Sequence, residues 1–362
     1  MDFPPGIKLY ILAFLKQAQG DIIMKEFNFF KSLMAFALLA GVLIVSPVMA
    51  QADDDKEEGG VKFTTNLELQ LTTRIEAGLN IKQNIIIPFL AGSNPLIKDN
   101  NINLAITGEF SPISLALKGE LIWQPIAFLL VSGGGMAGSG WQLEAMGARG
   151  IGLVVPVENE NPYDYSPRKF SVNGSAFDGL QWRAWGAMTF QFDMAAIFPG
   201  DWNHVVFQTR QEFRYAAYTG ASAGESWIFR EFYKENINGW NYFASYVLGY
   251  QMPQSPVLNM IGIMAELEKN LYNLPGESYW GGNLGRWVFS GLFNFAIHPR
   301  FSTTLVFQMH THRNYGGTDF ENDYYYQDLA VKNNPGQNLL IFGDQRRLLF
   351  YRIALMLNFK IH

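Results

Sequence analysis

The chain has no cysteine among its 362 residues. That excludes disulfides, thiolate metal sites, a cysteine nucleophile and lipid attachment through a lipoprotein cysteine. It fits export through an oxidising compartment such as the periplasm. Charge is scarce too: Asp, Glu, Lys and Arg make up 16% of the residues, with a formal net charge of -5. No basic run or patch is present, which excludes nucleic acid as a partner. Beyond residue 50 no apolar run reaches the roughly 18 residues that a membrane-spanning helix needs. What the chain has instead is aromatic residues, 15% of the total, and 35 glycines. Few charges beside many aromatics and glycines suit an all-β protein with close turns, or a membrane protein.

The front end reads as an address. From Met24 the chain runs "MKEFNFFKSLMAFALLAGVLIVSPVMAQADDD". Lys25 and Lys31 supply the positive start, an apolar run follows at 33–45, and Val48-Met49-Ala50 places small residues at both cleavage positions. This is the pattern of a secretory signal peptide over 24–50, cleaved before Gln51. Residues 1–23 fit badly in front of such a signal. Gln19-Gly20-Asp21 can be encoded by a purine-rich ribosome-binding sequence upstream of the Met24 codon, so 1–23 reads as a mis-annotated leader and Met24 as the true start. Residues 51–60, with "DDDKEE" inside them, read as an acidic periplasmic linker.

From residue 61 the hydrophobic period is two almost everywhere. Between positions 67 and 87 the odd residues include Leu67, Leu69, Leu71, Ile75, Leu79, Ile81 and Ile85. The even ones include Glu68, Gln70, Thr72, Arg74, Glu76, Asn80 and Lys82. Trp182, Ala184, Met188, Phe190, Phe192 and Met194 oppose Arg183, Thr189, Gln191 and Asp193. Val205, Phe207, Phe213 and Tyr215 oppose Gln208, Arg210, Glu212 and Arg214. Trp287, Phe289, Phe293 and Phe295 oppose Arg286, Ser290 and Asn294, while Leu305, Phe307 and Met309 oppose Gln308, His310 and His312. The last strand puts Tyr351, Ile353, Leu355, Leu357, Phe359 and Ile361 on one face, with Arg352 and Asn358 on the other.

Alternation alone does not separate a soluble sandwich from a membrane barrel. The connections do. Tight turns at Phe198-Pro199-Gly200-Asp201, Pro253-Gln254-Ser255-Pro256 and His298-Pro299-Arg300 alternate with long polar loops at 156–178, 219–238, 270–284 and 314–346. Short turns on one side and long loops on the other are the habit of outer-membrane barrels. Trp182, Trp202, Trp240, Trp287, Tyr215 and Tyr351 fall near strand ends, where interfacial aromatic girdles form. Strands are expected at 65–88, 102–110, 113–123, 127–134, 141–155, 180–197, 203–218, 239–252, 257–268, 285–298, 301–313 and 347–361. The fold class is therefore all-β, a transmembrane antiparallel up-and-down β-barrel over 61–362 with about 12 strands and both termini in the periplasm. Residues 65–88 exceed the 9–11 residues or so of one spanning strand, so a hairpin hidden near Thr73-Arg74 leaves 10–14 strands open.

The amphipathic end of the chain resembles the assembly signal of bacterial outer-membrane barrels, although Lys360, Ile361 and His362 follow the aromatic Phe359. Over 61–362 the chain resembles a porin-like outer-membrane protein of a diderm bacterium, and spirochaete barrels among these. That resemblance implies outer-membrane lipid, the barrel assembly machinery and small polar solutes as partners. It carries over no site residue.

The polar face is expected to line a pore: Glu68, Arg74, Glu76 and Lys82; Lys118 and Glu120; Arg183 and Asp193; Gln208, Arg210, Glu212 and Arg214; Glu266 and Glu268; Arg286 and Asn294; Gln308, His310 and His312; Arg352 and Asn358. A passive channel for small polar solutes follows. The alternative is a plugged barrel that binds surfaces or acts structurally through its long loops, "DFENDYYYQD" among them. A hydrolase is the weaker third reading, since His310-Thr311-His312 has a second histidine where a barrel phospholipase has serine. No catalytic residue, cofactor or metal is expected, because two histidines lack a clear third ligand. "SGGGMAGSG" at 132–140 lacks the Gly-Lys-Ser/Thr ending of a phosphate loop and reads as a flexible turn.

Overall fold

The computed structural model describes residues 60–74, 76–143, 148–156, 170–200, 202–230, 236–271, 285–313, 340–342 and 346–361. The described residues of 57–142 and 149–362 form one compact unit. The leader, the signal peptide and all of the linker but Gly60 lie outside the described residues, as does the stretch 319–328.

This unit is built on twelve strands: β1 (Lys62–Thr72), β2 (Ala77–Pro88), β3 (Asn101–Ser111), β4 (Ser114–Ile126), β5 (Leu129–Gly140), β6 (Gln181–Asp193), β7 (Val205–Tyr218), β8 (Gly239–Gln251), β9 (Leu258–Asn270), β10 (Arg286–His298), β11 (Phe301–Arg313) and β12 (Arg346–Lys360). Each pairs antiparallel with the next, and β12 pairs with β1 from Asn66↔Lys360 to Thr72↔Ala354. The sheet therefore closes into a barrel, which leaves no unpaired edge. Connections at the end bearing the chain termini are 2–12 residues long, and the longest connections, such as 141–180 and 314–345, lie at the opposite end.

Two expected elements differ. Residues 65–88 are two strands, turned at 73–76. The turn is invisible to periodicity because Leu71 pairs with Ala77 and Gln70 with Gly78, so even positions face even positions on both sides. Residues 141–155 are not a wall strand. Ile151–Pro156 instead sits between Phe170–Asn173 and Trp227–Phe229 in a separate three-stranded sheet carried by the β5–β6 and β7–β8 connections. The two differences offset, and the count of twelve stands. The run 132–140 is also no turn: it forms most of β5.

The distribution of polarity is inside-out. Exposed side chains on the wall include Leu104, Leu117, Leu121, Met188, Phe207, Leu248, Ile263, Phe307 and Leu355. Buried ones include Glu120, Ser132, Thr189, Glu212, Arg214, Ser290, Gln308 and His310. A water-soluble sandwich would show the reverse.

Aromatic residues band the outside. Toward the long-loop end, Trp182 stacks on Tyr215 at 5.4 Å and Tyr215 meets Trp240 edge-on at 5.5 Å. Toward the terminal end stand Trp202, with Tyr250 donating to its carbonyl, and Phe301 against Phe359 at 4.7 Å. Trp240 and Tyr250 share β8, ten residues apart. At about 3.3 Å per residue and a tilt of about 40°, that separation is roughly 25 Å along the barrel axis, the height of an apolar membrane band.

The last strand departs from simple alternation. Gln308 pairs with Arg352 but Met309 pairs with Phe350, so Tyr351 is the extra residue of a β-bulge. The bulge shifts the phase. Phe350 is exposed, whereas Tyr351 is only 5% exposed and lies 5.0 Å from the His310 ring. Tyr351 therefore belongs neither to the outer apolar face nor to the aromatic girdle expected of it.

Candidate functional site: the charged barrel interior

Alternation puts one residue in two on the interior, and the sequence supplies acids and bases there on neighbouring strands. Arg210 on β7 is the hub of one wall. Its Nη2 lies 2.8 Å from Glu120 Oε1 and 2.8 Å from Glu212 Oε2, and its Nη1 donates to Ser132 Oγ at 3.4 Å. Glu120 also accepts from Ser132 Oγ at 2.9 Å and Trp185 Nε1 at 3.3 Å, with Lys118 Nζ at 3.5 Å. Arg214 continues the network to Glu212 at 3.7 Å and to Glu268 on β9.

The glycines of β5 make room for this arrangement. Gly134 is the cross-strand partner of Trp185, and a Cβ there would sit 2.5 Å from the indole. Gly138 likewise accepts the Phe229 ring, whose Cζ would lie 3.0 Å from a Cβ. The small residues of "SGGGMAGSG" are thus the complement of two aromatic side chains inside the barrel.

A second polar cluster occupies the opposite wall. Arg352 Nε donates to Gln308 Oε1 at 2.7 Å, and Gln308 Nε2 donates to Ser290 Oγ at 3.1 Å. Arg352 also pairs with Glu76. The guanidinium carbons of Arg352 and Arg74 lie 4.7 Å and 5.3 Å from the Tyr351 ring centre. Arg74 and Glu76 come from the β1–β2 turn and its edge, not from a strand face as expected.

The other expected lining residues are distributed along the interior. Glu68 accepts from Asn80 Nδ2 at 2.9 Å, and Asn294 Nδ2 donates to Thr304 Oγ1 at 2.9 Å. Glu268 stands across from Arg286, with Glu266 two residues along β9. Gln208 and Asn358 are half-buried and Lys82 is exposed. Asp193 does a different job: it ends β6, caps the short 3-10 turn Met194–Ala196 through Ala195 N, and accepts from His204 at 2.9 Å. His310 is fully buried against Tyr351 rather than lining open space. The side chain of His312 lies outside the described residues.

The long-loop mouth carries the three-stranded sheet. Trp227, Ile151 and Ile228 are fully buried, and Ile151 and Trp227 pack with Ala216 and Tyr218 of β7. Asn238 Oδ1 accepts from Trp227 Nε1 at 3.0 Å and from Tyr218 N at 2.8 Å. Arg230 follows directly. Its φ of +65° is a left-handed backbone that a non-glycine residue rarely adopts. Its Nη1 reaches Glu109 of β3 at 2.7 Å, which ties the sheet to the wall. Below lies a cavity of about 140 Å³ lined by Glu109, Gln181, Arg183, Arg214, Arg230 and Glu268, among others. Strand parity finds Glu120 and Lys118 on the interior, and the same parity would have found Trp185 beside Arg183. Glu109 and Arg230 meet across 121 positions, and no local pattern signals that.

A closed twelve-strand barrel, apolar outside and charged within, is the architecture of a membrane-spanning β-barrel. No family model matches the chain, and no curated protein matches it. Among solved structures it is similar to a KdgM porin (7% identity, 83% of this chain and 99% of that one, TM-score 0.34). It is also similar to a NanC porin (4%, 82% and 100%, TM-score 0.36) and to OmpT, an outer membrane protein of Vibrio cholerae (8%, 85% and 100%, TM-score 0.31).

Proposed function

We propose that the protein is a passive outer-membrane channel for small polar solutes. The carrying observation is the closed barrel whose interior holds ionised side chains of both signs while its outside is apolar. An apolar outer surface of this extent is stable only against lipid. Acids and bases facing inward suit a hydrated path. The reading includes export by the signal peptide over 24–50, maturation at Gln51, insertion by the barrel assembly machinery and both termini in the periplasm.

A second reading has its own support. The Glu120 and Glu212 side chains are only 9% exposed, packed against Arg210, and the loop-borne sheet stands at the mouth. A plugged barrel that acts through its loops has such an interior. Single-channel recording of the mature protein in a planar bilayer separates the two. Discrete, reproducible conductance steps support the channel. Silence from demonstrably inserted protein refutes it and leaves the plugged barrel.

A further inference from the structure

The cavity beneath the mouth sheet has an excess of buried hydrogen-bond donors. Its lining includes three arginines against two glutamates. Arg230 is matched by Glu109 and Arg214 by Glu268. Arg183 is left over: among the described residues its side chain meets the Met136 sulfur at 3.7 Å and the Trp185 ring at 5.7 Å, but no carboxylate. The Nε of Arg183 and the Nε and Nη2 of Arg230 are buried with no acceptor on the described protein. Gln181, 4% exposed, lines the same cavity, and its Oε1 has no donor.

Buried donors and acceptors without partners are uncommon in folded proteins, because each forfeits its hydration. An unmatched guanidinium is the more costly case. Here the residues that carry them line one cavity, and their types are complementary to one kind of ligand. Guanidinium N–H groups bind a carboxylate in paired, charge-assisted hydrogen bonds. A lone amide oxygen accepts from a hydroxyl. At about 140 Å³ the cavity suits a molecule of a few carbons.

We propose that this cavity is a binding site for a small hydroxylated carboxylate, its carboxylate held by Arg183 and Arg230 and a hydroxyl donating to Gln181 Oε1. The site deepens the channel reading by making the mouth selective for organic anions, and it rests on that reading for its place in transport.

The test is isothermal titration calorimetry on the folded mature protein in detergent, with glycerate as probe and glycerol as its uncharged counterpart. Glycerate should bind and glycerol should not. Arg183→Gln should weaken glycerate binding at least tenfold, and Arg183→Lys, which keeps the charge but loses the paired geometry, should fall between. Heat-modifiable migration on gels confirms that each variant is folded, and Gln181→Leu serves as the second variant should Arg183→Gln not fold. Glycerate binding no better than glycerol overturns the site, as does wild-type affinity in a folded Arg183→Gln or Gln181→Leu variant. Bilayer recordings on the same preparation keep the two readings apart. Conductance without glycerate binding sinks the site alone, and glycerate binding to a silent barrel supports the site while refuting conduction.

Discussion

Replacing Arg210 with methionine keeps the aliphatic stem and removes the charge that Glu120 and Glu212 share. Both carboxylates are 9% exposed, which places them closer to a buried pair than to a surface one. Removing one partner of a buried ion pair costs roughly 3–5 kcal/mol, whereas an exposed pair is worth about 1 kcal/mol or less. Glu120 keeps Ser132, Trp185 and Lys118, and Glu212 keeps Arg214, so neither is stranded. The expected loss is therefore near the lower end, about 3 kcal/mol, or about two orders of magnitude in the folding equilibrium. Urea unfolding in phospholipid vesicles, followed by tryptophan fluorescence, measures it. Adding Glu212→Gln to Arg210→Met should recover most of the loss, since Glu120 then keeps Lys118, Arg214 keeps Glu268 and no uncompensated charge remains. A loss below about 1 kcal/mol would refute the reasoning, because it would mean that water solvates these groups as well as the protein does.

Leu355→Arg should cost roughly 2–4 kcal/mol and lower the inserted fraction in vesicles, since Leu355 is exposed on the outer face between Leu71 and Leu305; unchanged insertion would contradict its lipid-facing assignment. Gly134→Val places carbon where a Cβ already meets the Trp185 indole at 2.5 Å and should cost about 1–3 kcal/mol by overpacking, seen as a lower urea midpoint. An unaltered midpoint would show that the Trp185 ring and the Gly119 carbonyl, which that Cβ also meets, can both give way. N-terminal sequencing of the exported protein should begin at Gln51, and peptides from 1–23 in the precursor would overturn the start at Met24.

The barrel class was legible because a period of two runs through nearly every wall strand. What stayed hidden was whatever leaves that period intact or lies between distant strands. The turn at 73–76 preserves phase, so parity alone reads Leu67 through Ile87 as one strand, and only the length of the run left a hairpin near Thr73-Arg74 open. Within the expected strand 141–155, residues from Ile151 onward pair with Phe170–Asn173 and Trp227–Phe229 outside the wall, which propensity cannot distinguish. The bulge at Tyr351 reverses a face without any glycine or proline to announce it. The charges of the interior could be read from parity, since Arg210, Glu212 and Arg214 alternate along β7. Their partners on β4 and β9 could not, because the sequence does not state which strands curve together. Asp193 fell in the right parity but at a strand end, where capping the turn outcompetes facing the interior.

The seam between β1 and β12 carries a kinetic consequence. Its register joins residues nearly 290 positions apart, while every other wall pair joins neighbours in chain order. Closing a loop of that length costs on the order of 5 kcal/mol of chain entropy, against about 1–2 kcal/mol for a tight hairpin. Seven register pairs must offset it together, so zipping is all-or-none and comes last. A nascent barrel therefore waits as a twelve-strand ribbon with two bare edges, and the docking of the final fifteen-residue strand on β1 converts it into a ring. A chain shortened by that strand would keep nearly all of its local pairing and still be unable to live in lipid.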